Sequence, residues 1–128
     1  MKQFVAFKIK VVKLFPRTFH KKLPKKTAII AVSKKESSLF NWQYRGKKKA
    51  TNVLSFRYGS DYGEILICPE IIRREAKKAG NNYNYQLTWM IIHGMVHLAG
   101  LHHEKSQLIQ KKVERLEENL LGKIFGAS

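Results

Sequence analysis

Three histidines near the end of one helical segment have the spacing of a metal site. His93 and His97 are four residues apart, so on a helix they differ by about 40° in direction and by roughly 6 Å in height. His103 follows Gly100, which can adopt the left-handed backbone that ends a helix and turns the chain back. Three imidazoles and one water would make an open four-coordinate site of the catalytic type. We therefore predict one zinc ion per chain, held by His93, His97 and His103 at a helix end and the turn that follows.

The residues beside these histidines limit the chemistry of the site. The spacing HxxxHxxGxxH also occurs in zinc proteases, which need a glutamate after the first histidine as general base. This chain has Gly94 at that position, so we expect room beside the metal and a substrate other than a peptide. His102 could compete with His103 for the metal, but His103 has the better spacing.

The charge of the chain indicates a polyanionic partner. The 128 residues include 25 Lys or Arg and 9 Asp or Glu, which gives a net charge of +16. Residues 1–50 carry +14 of this charge and residues 51–128 only +2. A charge of this size destabilises a compact fold by self-repulsion, so we expect nucleic acid as the partner, with an anionic membrane surface as the alternative.

Cysteine use and hydropathy indicate a cytoplasmic protein that does not cross a membrane. The single Cys68 excludes an internal disulfide and fits a reducing compartment; we interpret it as a small core residue. No apolar run approaches the roughly 20 residues of a membrane span. The first residues, 1–19, mix lysines with apolar residues and do not match a secretory signal.

Hydrophobic periodicity and turn residues predict the elements that position the histidines. Apolar runs typical of strands occupy residues 4–12, 27–32, 51–56 and 64–68. Helical patterns occupy residues 33–44, 69–79, 85–98 and 104–121. Ser33 and Glu36 have the spacing of a capping box, and Pro69 suits a first helical turn. Residues 16–26 are predicted as a basic connector and 58–63 as a turn. We expect one α+β domain over residues 1–128, with a small mixed β-sheet of about four strands packed with helices.

Three segments share their residues and their order with one known family. Residues 93–103 read HGMVHLAGLHH, residues 41–47 and 51–56 read NWQYRGK and TNVLSF, and residues 63–68 read GEILIC. They resemble the signatures HGxLHLxGYDH, LNxxYRGKxxPTNVLSF and GDIxIC of the YbeY family, endoribonucleases of ribosomal RNA maturation. The resemblance extends over about residues 27–121.

The chain departs from the family pattern at three positions. His102 and Glu64 stand where the family usually has Asp, and Ala50 stands where Pro is usual. The change at His102 removes a carboxylate that could orient a ligand or position water, but it does not remove a ligand.

The resemblance implies a single-strand-specific endoribonuclease that matures the 3′ end of small-subunit rRNA, with ribosomal or assembly proteins as partners. It implies Arg45 and His97 as catalytic residues, because the family's arginine falls at Arg45 and a guanidinium can fork onto the scissile phosphate. Lys47, Lys48 and Lys49 would extend this surface along the RNA. Two alternatives are a non-catalytic, zinc-stabilised ribosome assembly or RNA-binding factor, and a metal hydrolase of another substrate.

Overall fold

The sheet of this protein is mixed and small. The computed structural model describes residues 15–100 and 106–126, together with the backbone of residues 2–3. Its strands are β1 (Lys2–Gln3), β2 (Lys26–Ala31), β3 (Val53–Arg57) and β4 (Tyr62–Ile67), in the spatial order β1-β2-β4-β3. The central pair, β2 and β4, is parallel, and each outer strand is antiparallel to its neighbour. This arrangement confirms the predicted fold class.

Helices cover both faces of the sheet. They are α1 (Arg17–His20), α2 (Lys34–Arg45), α3 (Pro69–Ala79), α4 (Tyr83–Leu98) and α5 (Gln107–Phe125). Helix α4 packs against β3 and β4 on one face, and α3 and α5 both pack against α4. Helix α2 packs on the opposite face, where its Phe40 contacts the sheet. None of the helices in the described ranges is both long and apolar enough to cross a membrane.

Two apolar clusters result from the alternation of side chains along the strands. The larger cluster lies between the sheet and α4 and includes Ile29, Ile65 and Ile91, all fully buried. The smaller cluster lies under α2 and includes Leu54 and Cys68, so Cys68 is a core residue as predicted. Each fully buried aliphatic side chain contributes about 1.5–3 kcal/mol. Helix α4 supplies more residues to the larger cluster than any other element and is therefore held firmly.

The ends of α2 confirm the predicted capping box. Ser33 Oγ accepts a hydrogen bond from the Glu36 amide at 3.1 Å, and Glu36 accepts one from the Ser33 amide at 2.9 Å. The hydrogen bond from the Ser33 backbone lowers the pKa of the Glu36 carboxyl below its usual value. Gly46, at φ 70°, ends the helix in the left-handed conformation. Arg45 is consequently fixed as the last residue of α2.

Several element boundaries differ from the predictions. The predicted strand at 4–12 lies outside the described residues. The connector at 16–26 contains the short helix α1, whose Phe19 ring packs against Phe15 with centroids 4.7 Å apart. Strand β4 begins at Tyr62 instead of residue 64, because Tyr62 and Gly63 pair in register with β2. Helix α5 continues to Phe125, beyond the predicted end at 121.

Candidate active-site groove

An open groove of about 930 Å³ runs between α4, β3 and the end of α2. Its described lining consists of Tyr44, Arg45, Thr51, Asn52, Val53, Leu54, Ser55, Phe56, Arg57, His93, His97, Leu98 and Gly100. This lining brings Arg45 together with His93 and His97, three residues singled out from the sequence. None of the described lining residues is acidic, so the groove suits a negatively charged ligand.

Helix α4 presents both histidines to the groove. The His93 and His97 rings lie with centroids 4.6 Å apart and planes tilted by 51°. The helix then ends, and Gly100 takes the positive φ of 90° that the sequence predicted for the turn. His102 and His103 lie in residues 101–105, outside the described ranges. The role of His103 as third ligand therefore stays a prediction.

A buried carboxylate from α5 supports His93. Glu117 is only 4% exposed, and its Oε2 lies 2.9 Å from His93 Nδ1. Its other oxygen accepts a hydrogen bond from Trp89 Nε1 at 3.0 Å. A carboxylate on Nδ1 fixes the orientation of an imidazole, and a metal bond from His93 would then be made by Nε2. Glu117 was not predicted as a site residue from the sequence. Its position four residues after Val113, on the apolar stripe of α5, was a signal that this carboxylate is buried.

Gly94 has a different role from the one expected. A Cβ at this position would lie 2.8 Å from Ile65 Cγ2 and 3.1 Å from Ser55 Oγ. Ser55 also donates a hydrogen bond to the Gly94 carbonyl oxygen at 3.0 Å. The space beside Gly94 is therefore filled by the sheet, and the expectation that it leaves room beside a metal is wrong. Gly94 instead allows α4 to approach β3 and β4 closely.

Two buried polar residues of α2 hold the loop that follows Arg45. Asn41 donates a hydrogen bond from its side chain to the Lys49 carbonyl oxygen at 2.8 Å. Ser37 donates to the Thr51 carbonyl oxygen at 2.8 Å and accepts from the Thr51 amide at 2.9 Å. Both side chains are 1% exposed. The loop is thereby held against α2, whose last residue, Arg45, lines the groove.

The predicted RNA-binding lysines lie beside the groove and not in its lining. Lys47, Lys48 and Lys49 are all exposed and belong to the loop after α2. The Lys48 ammonium lies 5.3 Å from the ring centroid of Trp42, on the outer side of α2. Because they lie next to Arg45, these lysines could contact the backbone of an RNA strand where that strand leaves the groove.

The donor set of the groove fits a divalent ion that prefers nitrogen ligands. Two neighbouring imidazoles on one helix face, one of them hydrogen-bonded to a buried carboxylate, match the pattern of zinc-binding histidines. Within residues 15–100 and 106–126, no three His, Cys, Asp or Glu side chains form a group that could hold a metal. The described part of the chain could thus supply two ligands of such a site, His93 and His97.

Comparison with known proteins identifies the family. The family model described as "Endoribonuclease YbeY" matches residues 2–125. Proteins of that name are 38% identical over 81 residues in Bdellovibrio bacteriovorus and 42% identical over 79 residues in Thermotoga neapolitana. These alignments cover 62% and 61% of this chain, and the chain spans only 54% and 53% of those relatives. A third, from Thermotoga maritima, is 33% identical over 100 residues, 77% of this chain and 67% of the relative.

The structure has a solved neighbour with the same architecture. A solution structure of a Thermotoga maritima protein matches with a TM-score of 0.65 and 29% identity, over 94% of this chain and 78% of that one. The family model and the structural match agree. This chain belongs to the YbeY family.

Proposed function

We propose that this chain is a metal-dependent endoribonuclease of rRNA maturation, and that residues 1–128 form one domain of this kind. One observation carries the proposal: Arg45 from α2 and the two histidines of α4 line a single groove whose described lining holds no acid. A phosphodiester is an anion, and such a groove can accept it beside nitrogen ligands for a metal. Membership in a family described as endoribonucleases supports the same reaction.

His93, His97 and His103 would hold one zinc ion. When bound, the zinc would supply a Lewis acid that polarises a phosphoryl oxygen and lowers the pKa of water. Glu117 orients the His93 ring through Nδ1, and Trp89 in turn fixes the carboxylate. Helix α4 sets the spacing of His93 and His97, so the chain itself prepares two of the three ligands.

Arg45 would bind the scissile phosphate and stabilise the charge that develops on it. Two arginines line the groove, and their surroundings differ. The Arg57 guanidinium donates hydrogen bonds to the carbonyl oxygens of Gly59 at 2.8 Å and Leu98 at 2.6 Å. Arg57 therefore has a structural role, because it links β3 to the end of α4. The Arg45 guanidinium has no hydrogen bond to other described residues. No other described residue therefore occupies its five donors, which could bind a phosphate.

The proposed substrate is ribosomal RNA, with the 3′ end of the small-subunit rRNA as the cleavage region. The basic surface supports this choice, since Lys and Arg outnumber acids by 15 to 1 in residues 1–50. Ribosomal or ribosome-assembly proteins are the proposed partners. A substrate of this kind implies a cytoplasmic protein.

The proposal is tested by incubating metal-loaded and chelated protein with single-stranded fragments from the 3′ end of small-subunit rRNA. Cleavage is expected only with metal-loaded protein, and His97→Ala should lose both the metal and the activity. His20→Ala is the matched control, because His20 is exposed on α1 and is not among the groove residues. Intact RNA after incubation with metal-loaded wild type would favour a non-catalytic assembly factor. Cleavage that survives chelation would remove the metal from the mechanism.

A further inference from the structure

A strip of aromatic side chains leads out of the groove across the sheet. Tyr44 and Phe56 line the groove, and their ring centroids are 4.8 Å apart. Tyr58 follows Phe56 by two residues, about 7 Å further along the same face of an extended chain. Tyr58 then stacks on Tyr62, with centroids 5.8 Å apart and planes within 22° of parallel. We call these four residues the aromatic strip.

Three of the four rings of the aromatic strip are exposed to solvent, and the fourth, Phe56, is partly buried. Tyr44 is 64% exposed, Tyr58 59% and Tyr62 36%. Phe56, Tyr58 and Tyr62 lie on the face of the sheet that α2 covers, and Tyr44 lies in the last turn of α2. Large aromatic side chains are enriched in cores and interfaces because they bury much apolar area. A row of exposed rings that continues from a groove therefore indicates a binding surface.

Glu64 holds the outer part of the strip in place. Its two carboxylate oxygens accept hydrogen bonds from the hydroxyls of Tyr58 at 3.1 Å and Tyr62 at 2.8 Å. Partial burial together with this hydrogen bond raises the pKa of Tyr58, and the hydrogen bond to Glu64 raises the pKa of Tyr62. Both phenols therefore stay uncharged at neutral pH, and their rings are oriented before a ligand arrives.

Positive charge flanks the strip at both ends. Arg45 directly follows Tyr44 at the groove end. Lys26 is the register partner of Tyr62 at the far end, and it is exposed. The carboxylate of Glu64 lies between them and would repel a phosphate placed over the rings. The charges thus favour a ligand with anionic groups near the ends of the strip and uncharged flat groups over its centre.

We propose that the aromatic strip stacks the unpaired bases of single-stranded RNA next to the phosphate held at Arg45. Every base has a π-face that can stack on an aromatic ring whatever its sequence, and cations beside the rings follow the backbone. Bases inside a duplex are already stacked and paired, so the strip selects single strands. This inference rests on the proposed function and specifies how its substrate is recognised.

The strip is tested by measuring the affinity of the purified protein for two probes in a buffer that contains a chelator, so that metal-dependent cleavage of either probe is prevented. One probe is a short 2′-O-methyl oligouridine, and the other is an abasic oligomer of the same length, which keeps the phosphates and lacks the bases. Tyr58→Leu should weaken binding of the oligouridine by about 5- to 100-fold, the range found for loss of one base-stacking ring, and leave binding of the abasic oligomer unchanged. Tyr58→Phe keeps the ring but loses the hydrogen bond to Glu64, so it should bind the oligouridine more tightly than Tyr58→Leu.

Trp42→Leu is the matched control. Trp42 is also an exposed aromatic residue of α2, 52% exposed, but it is not among the groove residues. It should bind both probes like wild type. Equal oligouridine affinity of Tyr58→Leu and wild type would overturn the inference and leave the strip as a surface for a protein. An equal loss of affinity for both probes, or a loss of affinity in Trp42→Leu alone, would also overturn the inference. Because neither probe is cleaved, these results are independent of whether the metal-loaded protein cuts rRNA.

Discussion

The two walls of the groove are built in different ways. The wall that carries His93 and His97 is α4, whose neighbouring residues Ile92, Met95 and Val96 are completely buried against the sheet and the other helices. The wall that carries Arg45 is the exposed end of α2, which is held mainly by side-chain hydrogen bonds to the following loop. The histidines are positioned by the hydrophobic core, and the end of α2 that carries the arginine is held by a few hydrogen bonds from the buried polar side chains Ser37 and Asn41.

This difference teaches that the two walls should respond differently to substitution. Changes on the α4 wall alter a packed helix and the ligand geometry together, so they should affect metal affinity or stability. Changes at Arg45 leave the core untouched and should affect only the reaction. The following substitutions test this division, from the largest expected effect to the smallest.

Arg45→Lys should reduce cleavage by about 10²- to 10³-fold, the usual scale for losing one transition-state donor. The lysine keeps the charge but loses the two-pronged guanidinium. Metal content and Tm should match those of wild type, because Arg45 is exposed and lies outside the core. Kinetics at equal metal loading provide the measurement. A cleavage rate equal to that of wild type would reduce Arg45 to a surface cation.

Glu117→Gln should weaken zinc binding by about 10- to 100-fold, as is typical for partners that orient a ligand. The amide keeps the shape of the side chain and an acceptor for Trp89, but it lacks the charge that faces His93 Nδ1. Competition with a chelator measures the affinity. Glu118→Gln is the control, because Glu118 is the exposed neighbour on the same helix. Equal zinc affinities in the two variants would contradict the positioning role of Glu117.

Gly94→Ala should lower the free energy of unfolding by about 1–3 kcal/mol, because the added methyl group overlaps Ile65 and Ser55. Thermal or urea unfolding measures the change. The same substitution in an Ile65→Ala background should cost less, since part of the colliding side chain is then absent. Strictly additive costs would show that the contact between α4 and β4 is not what requires the glycine.

Replacing Lys47, Lys48 and Lys49 with glutamine should have the smallest effect of these substitutions. The expected change is in the salt dependence of RNA affinity. Each lysine that neutralises one phosphate contributes about 0.7 to the slope of log affinity against log salt on a single strand. The slope should become flatter, by at most about 2 for three such contacts, while Tm stays the same. The control is the triple replacement of Lys111, Lys112 and Lys123 on α5. If only the control flattens the slope, the RNA path lies over α5.

Local signals predicted most of the fold. The capping box at Ser33 and Glu36, the proline at the start of α3 and the apolar run of β2 each depend on residues close in sequence. The start of β4 was wrong by two residues, because Tyr62 joins the sheet through pairing with β2, which is distant in sequence. The helix α1 was missed for a similar reason, since its Phe19 is stabilised by the core and not by a periodic pattern.

In the candidate site too, only the features that depend on residues close in sequence could be predicted. The spacing of His93 and His97 is a property of one helix and could be read directly, and so could the turn at Gly100. Glu117 could not be paired with His93 from the sequence, because 24 residues separate them and the contact depends on how α5 packs on α4. Arg45 lies in the same groove as the histidines because of how the whole chain folds, and local sequence could not predict this. Its predicted role in catalysis, like that of His103 in metal binding, stays a prediction.

The hydrogen bond between Trp89 and Glu117 places a fluorescent side chain next to the proposed metal site. The chain has two tryptophans: Trp42 is half exposed, whereas Trp89 is partly buried and donates its indole N–H to the carboxylate that holds His93. A cation at His93 would strengthen the attraction between that imidazole and Glu117 and would alter the electric field at the indole. In a Trp42→Phe background, the fluorescence of Trp89 should therefore change in wavelength or intensity during zinc titration, without any label or RNA.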